Sequence, residues 1–252
     1  MSIKNTSKYI PYDAVVPLLL IDPEHADFPY FSGTGFFVHC PPSEEIFLVT
    51  SRHCIFDNND KLRGDVTVFK EMNEGIIRLN FSHMLETKKE NDQFFEDIIV
   101  FVVDREFLKK ENIKYISSVE VFDHEVVDFL IDHIFKFQEK IRIVGYPSSC
   151  KEMTYSPNKV SADARGVVGK IEEYIKEDCI GVVSDLNWDS SDLHGFSGSP
   201  VIGLCPNQYS KDVEVIPLGV VVMGADSRFR FVSFNIVTNV ILNFISSESG
   251  NC

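Results

Sequence analysis

One hexapeptide of this chain, Gly195-Phe196-Ser197-Gly198-Ser199-Pro200, has the residue types of an acyl-transfer nucleophile. Glycine at 195 and 198 lets the backbone take a tight turn of positive φ without a Cβ clash. Such a turn pushes a serine hydroxyl outward and aims successive backbone N–H groups into one hollow, where a developing oxyanion can be held. A serine hydroxyl is a weak nucleophile by itself and needs a base. His53 ends the apolar run Ile46-Phe47-Leu48-Val49-Thr50 and is the candidate base. Asp97 heads the run Ile98-Ile99-Val100-Phe101-Val102-Val103 and is the candidate carboxylate that would fix the imidazole tautomer and stabilise the imidazolium. Gly195 N–H and Ser197 N–H would then form the oxyanion hole. Taken singly, each has a structural reading: Asp97 as a strand-end cap, His53 as a core histidine, Ser197 as a turn residue. Their combination in this order and context is what points to chemistry.

The three blocks resemble those of the trypsin-like (chymotrypsin-fold) serine peptidases, and within them the prokaryotic, non-zymogen branch. Thr50-Ser51-Arg52-His53-Cys54 is similar to the family's Thr-Ala-Ala-His-Cys block, and Asp97-Ile98-Ile99-Val100 to its Asp-Ile-Ala-Leu block. Gly195 to Pro200 is similar to Gly-Asp-Ser-Gly-Gly-Pro. Gly33-Thr34-Gly35-Phe36 and Gly145-Tyr146-Pro147 resemble two further strands of these enzymes, so the likeness runs from residue 12 to residue 245. It implies a serine endopeptidase that works through an acyl-enzyme on a polypeptide substrate, with no cofactor and no metal.

Departures from the family pattern carry information of their own. Phe196 stands where secreted trypsins have an acidic residue that pairs with a newly cut N-terminus. Activation by cleavage is therefore not implied; a turn held by apolar packing and an activating protein partner are expected instead. Val222 stands where many relatives have a serine that hydrogen-bonds the triad aspartate, and Ser199 replaces a glycine. The resemblance places one wall of the specificity pocket at Ser191, Asp192 and His194, and the other at Val222, Met223 and Gly224. Ser191 falls where trypsin has its pocket-base Asp, so no strong Arg/Lys preference follows. A reading from another class is a catalytically silent member of this fold, serving as a protein-binding or regulatory module.

The rest of the sequence bounds these readings. The 252 residues carry a formal net charge of −14, which argues against nucleic-acid and anionic-membrane partners, since both need a basic face. No apolar run reaches the ~18 residues that span a bilayer, and the polar Met1-Ser2-Ile3-Lys4-Asn5 leads into no signal-peptide core. Six scattered cysteines without a Cys-x-x-Cys pair suit a reduced compartment, so a cytoplasmic location is expected. A Cys40–Cys54 bridge is conceivable but not favoured. The pairs His39-Cys40 and His53-Cys54 invite a zinc reading, yet adjacent strand residues point to opposite faces and split each pair.

The elements that must position the site are strands. Short apolar runs at 14–21, 33–38, 46–50, 66–70, 76–81 and 98–103, separated by polar turns, suit a small antiparallel barrel. A second set at 141–147, 166–171, 180–184, 201–204, 217–224 and 230–234 suits another. The expected fold is all-β: two antiparallel six-stranded barrels with a C-terminal helix. Residues 1–120 would hold His53 and Asp97, and residues 121–252 would hold Ser197. Val126 to Ile134 has the spacing of a short amphipathic helix in the crossing. Ile236, Val237, Val240, Ile241, Phe244 and Ile245 mark the C-terminal helix, with Ser233 or Asn235 as its cap. Residues 1–11 read as a loose leader and 86–92 as a charged loop.

Overall fold

The computed structural model describes residues 12–21, 30–72, 75–86, 97–113, 116–156, 159–188, 192–206 and 213–249. The leader, most of the charged loop and Ser191 lie outside them. The strands are β1 (Val15–Ile21), β2 (Tyr30–His39), β3 (Ile46–Ser51), β4 (Asp65–Met72), β5 (Gly75–Arg78), β6 (Phe81–Glu86), β7 (Ile98–Val103) and β8 (Val119–Glu120). In the second half follow β9 (Lys140–Gly145), β10 (Lys151–Ser156), β11 (Lys159–Ala162), β12 (Arg165–Ile175), β13 (Ile180–Ser184), β14 (Pro200–Pro206), β15 (Val213–Ala225) and β16 (Arg228–Ser233). Helices are α1 (Arg105–Lys110), α2 (His124–Phe137) and α3 (Phe234–Ser249).

The six apolar residues of β7 are all buried, because the sheet that contains them is covered on both faces. Ile98, Val100 and Val102 face a core shared with the second half of the chain, while Ile99, Phe101 and Val103 face a smaller core of the first half. β2 and β3 divide in the same way: Phe36, Val38, Phe47 and Val49 turn to the shared core, Phe37 and Leu48 to the other. A strand buried on both faces reads as a continuous apolar run rather than an alternation.

The second half forms a closed barrel in the order β12-β13-β16-β15-β14-β9. The first half forms a sheet in the order β5-β4-β1-β2-β3-β7-β6, with β8 added in parallel to β2. The two-barrel, all-β expectation is met, with one barrel closed and the other a half-barrel sheet among the described residues. Residues 76–81, expected as one strand, divide between two: β5 pairs back onto β4 and β6 pairs with β7. An apolar run does not reveal a change of partner along its length.

Of the apolar residues that marked α2, Val127, Leu130, Ile131 and Ile134 are buried, while Val126 and Phe129 lie on its exposed face. α3 starts directly after β16, and of the two candidate caps Ser233 performs the role, its Oγ accepting from Asn235 N–H at 3.4 Å. The Asn235 side chain instead donates to Asp128 Oδ1 at 2.6 Å, joining α3 to α2. Phe244 of α3 meets Phe47 of β3 edge-on at 6.1 Å, which brings the C-terminal helix onto the first sheet. α1 is an element the sequence reading did not include; Asp104 caps it by accepting from Glu106 and Phe107 N–H groups at 2.9 and 3.2 Å.

Candidate active site

β3 and β7 are antiparallel neighbours, with Ser51 opposite Ile98. The residues just after Ser51 and just before Ile98 must therefore meet at the sheet's end. His53 lies in the single helical turn Arg52–Cys54 after β3, and Asp97 immediately precedes β7. Asp97 Oδ2 is 2.7 Å from His53 Nδ1, and Asp97 Oδ1 accepts the His53 backbone N–H at 2.9 Å. One carboxylate thus fixes both the ring and the main chain that carries it. An Nδ1–H donated to Asp97 leaves Nε2 as the free acceptor. Burial of the imidazole opposes its charged form, but the Asp97 hydrogen bond, helped by the Cys54 thiol, outweighs burial and holds the His53 pKa above the usual histidine value.

Ser197 sits in the turn leading into β14. Leu193 O accepts from Phe196 N–H at 3.4 Å, closing a turn whose third residue is Gly195 at φ +93°. Gly198 has φ +84°, and a Cβ there would overlap Thr34 O and Thr50 Oγ1. The N–H groups of Phe196, Gly198 and Ser199 are taken by Leu193 O, Val221 O and Phe196 O. Those of Gly195 and Ser197 have no acceptor among the described residues, which leaves two donors on the turn for an oxygen from elsewhere. The Ser197 hydroxyl likewise makes no hydrogen bond among them, to His53 or otherwise. Catalytic hydrogen bonds are often long in a ligand-free enzyme and tighten around substrate.

The turn is held from the opposite sheet by residues that the sequence reading did not assign. Thr34 of β2, fully buried, donates its hydroxyl to Gly195 O at 2.7 Å and accepts from Tyr146 N–H at 3.0 Å. Its backbone N–H donates to Ser197 O at 2.9 Å, and its own carbonyl accepts from Thr50 Oγ1 at 2.7 Å. Ser51 Oγ donates at 2.8 Å to Val221 O, the carbonyl that also accepts Gly198 N–H. The Cys54 thiol points at Ser197 O, 3.6 Å away, so the residue after His53 adjoins the serine's main chain. Three buried hydroxyl residues in otherwise apolar strands, Thr34, Thr50 and Ser51, were the signal available in the sequence.

Phe196 is fully buried and held by rings, as its apolar character suggested: Trp188 at 5.6 Å and Phe229 at 5.2 Å, both edge-on. Val222 is buried and supplies no hydroxyl, and the Asp97 carboxylate accepts only from His53 among the described residues. Among the described residues Ser199 Oγ is buried without a hydrogen-bond partner. It fits because residue 145 is glycine, whose missing Cβ leaves that space. Cys40 and Cys54 are free thiols. His39 Nδ1 lies 3.0 Å from Ser118 Oγ, well apart in role from the His53–Asp97 pair.

The proposed pocket walls are only partly described, since Ser191 is not among the described residues. Asp192 Oδ1 accepts His194 N–H at 3.0 Å, so this carboxylate serves its own loop. His194 is exposed, and its carbonyl accepts from Ser148 N–H at 2.8 Å. On the other wall Val222 is buried, Met223 is 42% exposed and Gly224 lies between Leu193 and Phe229.

The fold has known counterparts. It is similar to the crystal structure of a thermostable serine protease from an extremophilic microorganism, with a TM-score of 0.54 over 94% of this chain and 98% of that one. The two are 10% identical, so the likeness is one of fold: the chymotrypsin-like two-barrel architecture. No family model matches the sequence, and no curated protein matches it. No helix among the described residues is long and apolar enough to cross a membrane.

Proposed function

We propose that this chain is a trypsin-like serine endopeptidase with His53, Asp97 and Ser197 as its triad. Ser197 Oγ attacks the scissile carbonyl carbon while His53 Nε2 takes the hydroxyl proton. The tetrahedral oxyanion accepts hydrogen bonds from the N–H groups of Gly195 and Ser197. The His53 proton then passes to the leaving nitrogen as the C–N bond breaks, and an ester remains on Ser197. Water, deprotonated by His53, cleaves that ester and restores the hydroxyl. Residues 1–120 supply the base and its carboxylate, and residues 121–252 the nucleophile.

The observation that carries this reading is the serine turn itself: among the described residues the Gly195 and Ser197 N–H groups have no acceptor, while those of Phe196, Gly198 and Ser199 are bonded. The net charge of −14 favours basic or unfolded polypeptides as substrates. Free buried thiols at Cys40 and Cys54 favour a reducing, cytoplasmic setting. An activating protein partner belongs to the same reading, because Phe196 provides no ion pair for a cut N-terminus.

Hydrolysis of an unfolded protein substrate by the wild type, lost by more than about a thousandfold in Ser197→Ala, is the expected result. Residual turnover within about tenfold would contradict a serine mechanism. The competing reading, a silent binding module, draws on the Ser197 hydroxyl, unbonded among the described residues, and on the closeness of Leu193 to Gly224, where a Cβ would overlap it. It requires that neither protein hydrolyse anything.

A further inference from the structure

We infer that the specificity pocket of this site is filled by the protein's own Leu193 and Phe229, so that the residue donating the scissile carbonyl must be Gly, Ala or Ser. The inference rests on the peptidase reading above and names its substrate class.

β15 and β16 are joined by the two-residue turn Asp226-Ser227, both at positive φ (50° and 59°), with Ala225 opposite Arg228. A two-residue turn of this kind fixes the register of the hairpin. It sets Phe229 directly opposite Gly224, the glycine of the expected pocket wall. An ideal Cβ on Gly224 would lie 2.7 Å from Leu193 Cβ and 3.1 Å from the Phe229 ring. The two side chains thus occupy the volume beside Gly224, Leu193 from the loop before the serine turn and Phe229 from the next strand.

Neither is free to leave. Phe229 is fully buried and packs at 5.2 Å on Phe196, the residue before the nucleophile, and Phe196 in turn meets Trp188. Leu193 is buried, and its carbonyl closes the turn that carries Gly195. A large side chain entering beside Gly224 would have to displace one of them, and displacing Leu193 would disturb the oxyanion turn. A hydrogen, methyl or hydroxymethyl group asks for the least displacement of either. Met223, which is 42% exposed, remains at the surface beside the closed space.

The test uses peptidyl diphenyl phosphonates, which carry a chosen side chain and label a catalytic serine, beside a fluorophosphonate that carries no amino-acid side chain. The full chain should react with the alanyl phosphonate at least about 100-fold faster than with the phenylalanyl or lysyl analogue. Equal or faster reaction with either large analogue, in protein that the fluorophosphonate labels, overturns the closed pocket and leaves the peptidase reading standing. Failure of the fluorophosphonate itself overturns the peptidase reading and this inference with it. Phe229→Ala should raise the phenylalanyl rate relative to the same variant's fluorophosphonate rate. Leu193→Ala is the smaller change and serves if Phe229→Ala does not fold. An unchanged ratio in a folded variant overturns the role given to the side chain it removes.

Discussion

Replacing Thr34 by valine keeps the shape of the side chain and deletes its hydroxyl, which is the hinge between the two halves of the site. That hydroxyl donates to Gly195 O at 2.7 Å and accepts from Tyr146 N–H at 3.0 Å in a fully buried position. Valine would leave the Gly195 carbonyl and the Tyr146 N–H, both part-buried, without this partner. An orphaned group costs about 1–3 kcal/mol when fully buried, so two part-buried ones at the low end destabilise Thr34→Val by roughly 2 kcal/mol. For a chain of this size about 1 kcal/mol corresponds to about 2–4 °C, so the Tm should fall by about 4–8 °C. Gly195 is also the oxyanion donor on the proposed mechanism, so fluorophosphonate labelling should slow by about 10- to 100-fold in protein that is still folded. Thr34→Ser retains the hydroxyl and should recover most of the labelling rate while losing only a methyl group's packing. Thermal melts and labelling rates of the three proteins decide the matter. A Thr34→Val protein that melts and labels like wild type would refute the claim that these bonds set the turn.

Other outcomes follow from single contacts. Ser199→Ala removes a buried hydroxyl with no partner among the described residues, and should raise the Tm by about 2–4 °C per kcal/mol recovered; a fall in Tm would show that the hydroxyl has a role. Phe196→Asp would bury a carboxylate between Trp188 and Phe229, and should cost several kcal/mol, read as loss of soluble protein or a much lower Tm. The Asp97 bond holds the His53 pKa above the ordinary value, and the base must be neutral to act. Labelling should therefore rise with pH to a half-maximum above about 6.5. Stability runs the other way: what the His53–Asp97 pair contributes is fully present below the unfolded histidine pKa and is lost as pH rises through the raised folded one. Asp97→Asn should cut labelling by about 10⁴-fold, and a half-maximum below about 6.5 in the wild type would contradict the pairing.

The parts of this site that the sequence made legible are those carried by local pattern. His53 and Asp97 sit at strand ends and Ser197 between two turn glycines, all visible without knowing which strands pair. The meeting of His53 and Asp97 depends on Ser51 lying opposite Ile98, a register that only the folded sheet supplies. The Thr34 clamp joins residues 161 positions apart, and nothing local to Gly33-Thr34-Gly35 announces its partner. The two proposed pocket segments were legible, but the pairing of Phe229 with Gly224 was not, because it arises only through the register of a hairpin. Ser233 and Asn235 were equally good caps by residue type, and the choice fell to Asn235's bond with Asp128, a contact made by tertiary packing. The split of residues 76–81 between β5 and β6 has the same origin.

The central claim is that Ser197 is a nucleophile activated by His53 and Asp97. Its most direct test is fluorophosphonate labelling of the intact 252-residue chain, with the modified residue located by mass spectrometry. The expected result is a single adduct on Ser197, absent in Ser197→Ala and strongly slowed in His53→Ala. Folded wild-type protein that takes up no label, or that is labelled at a different serine, would contradict it.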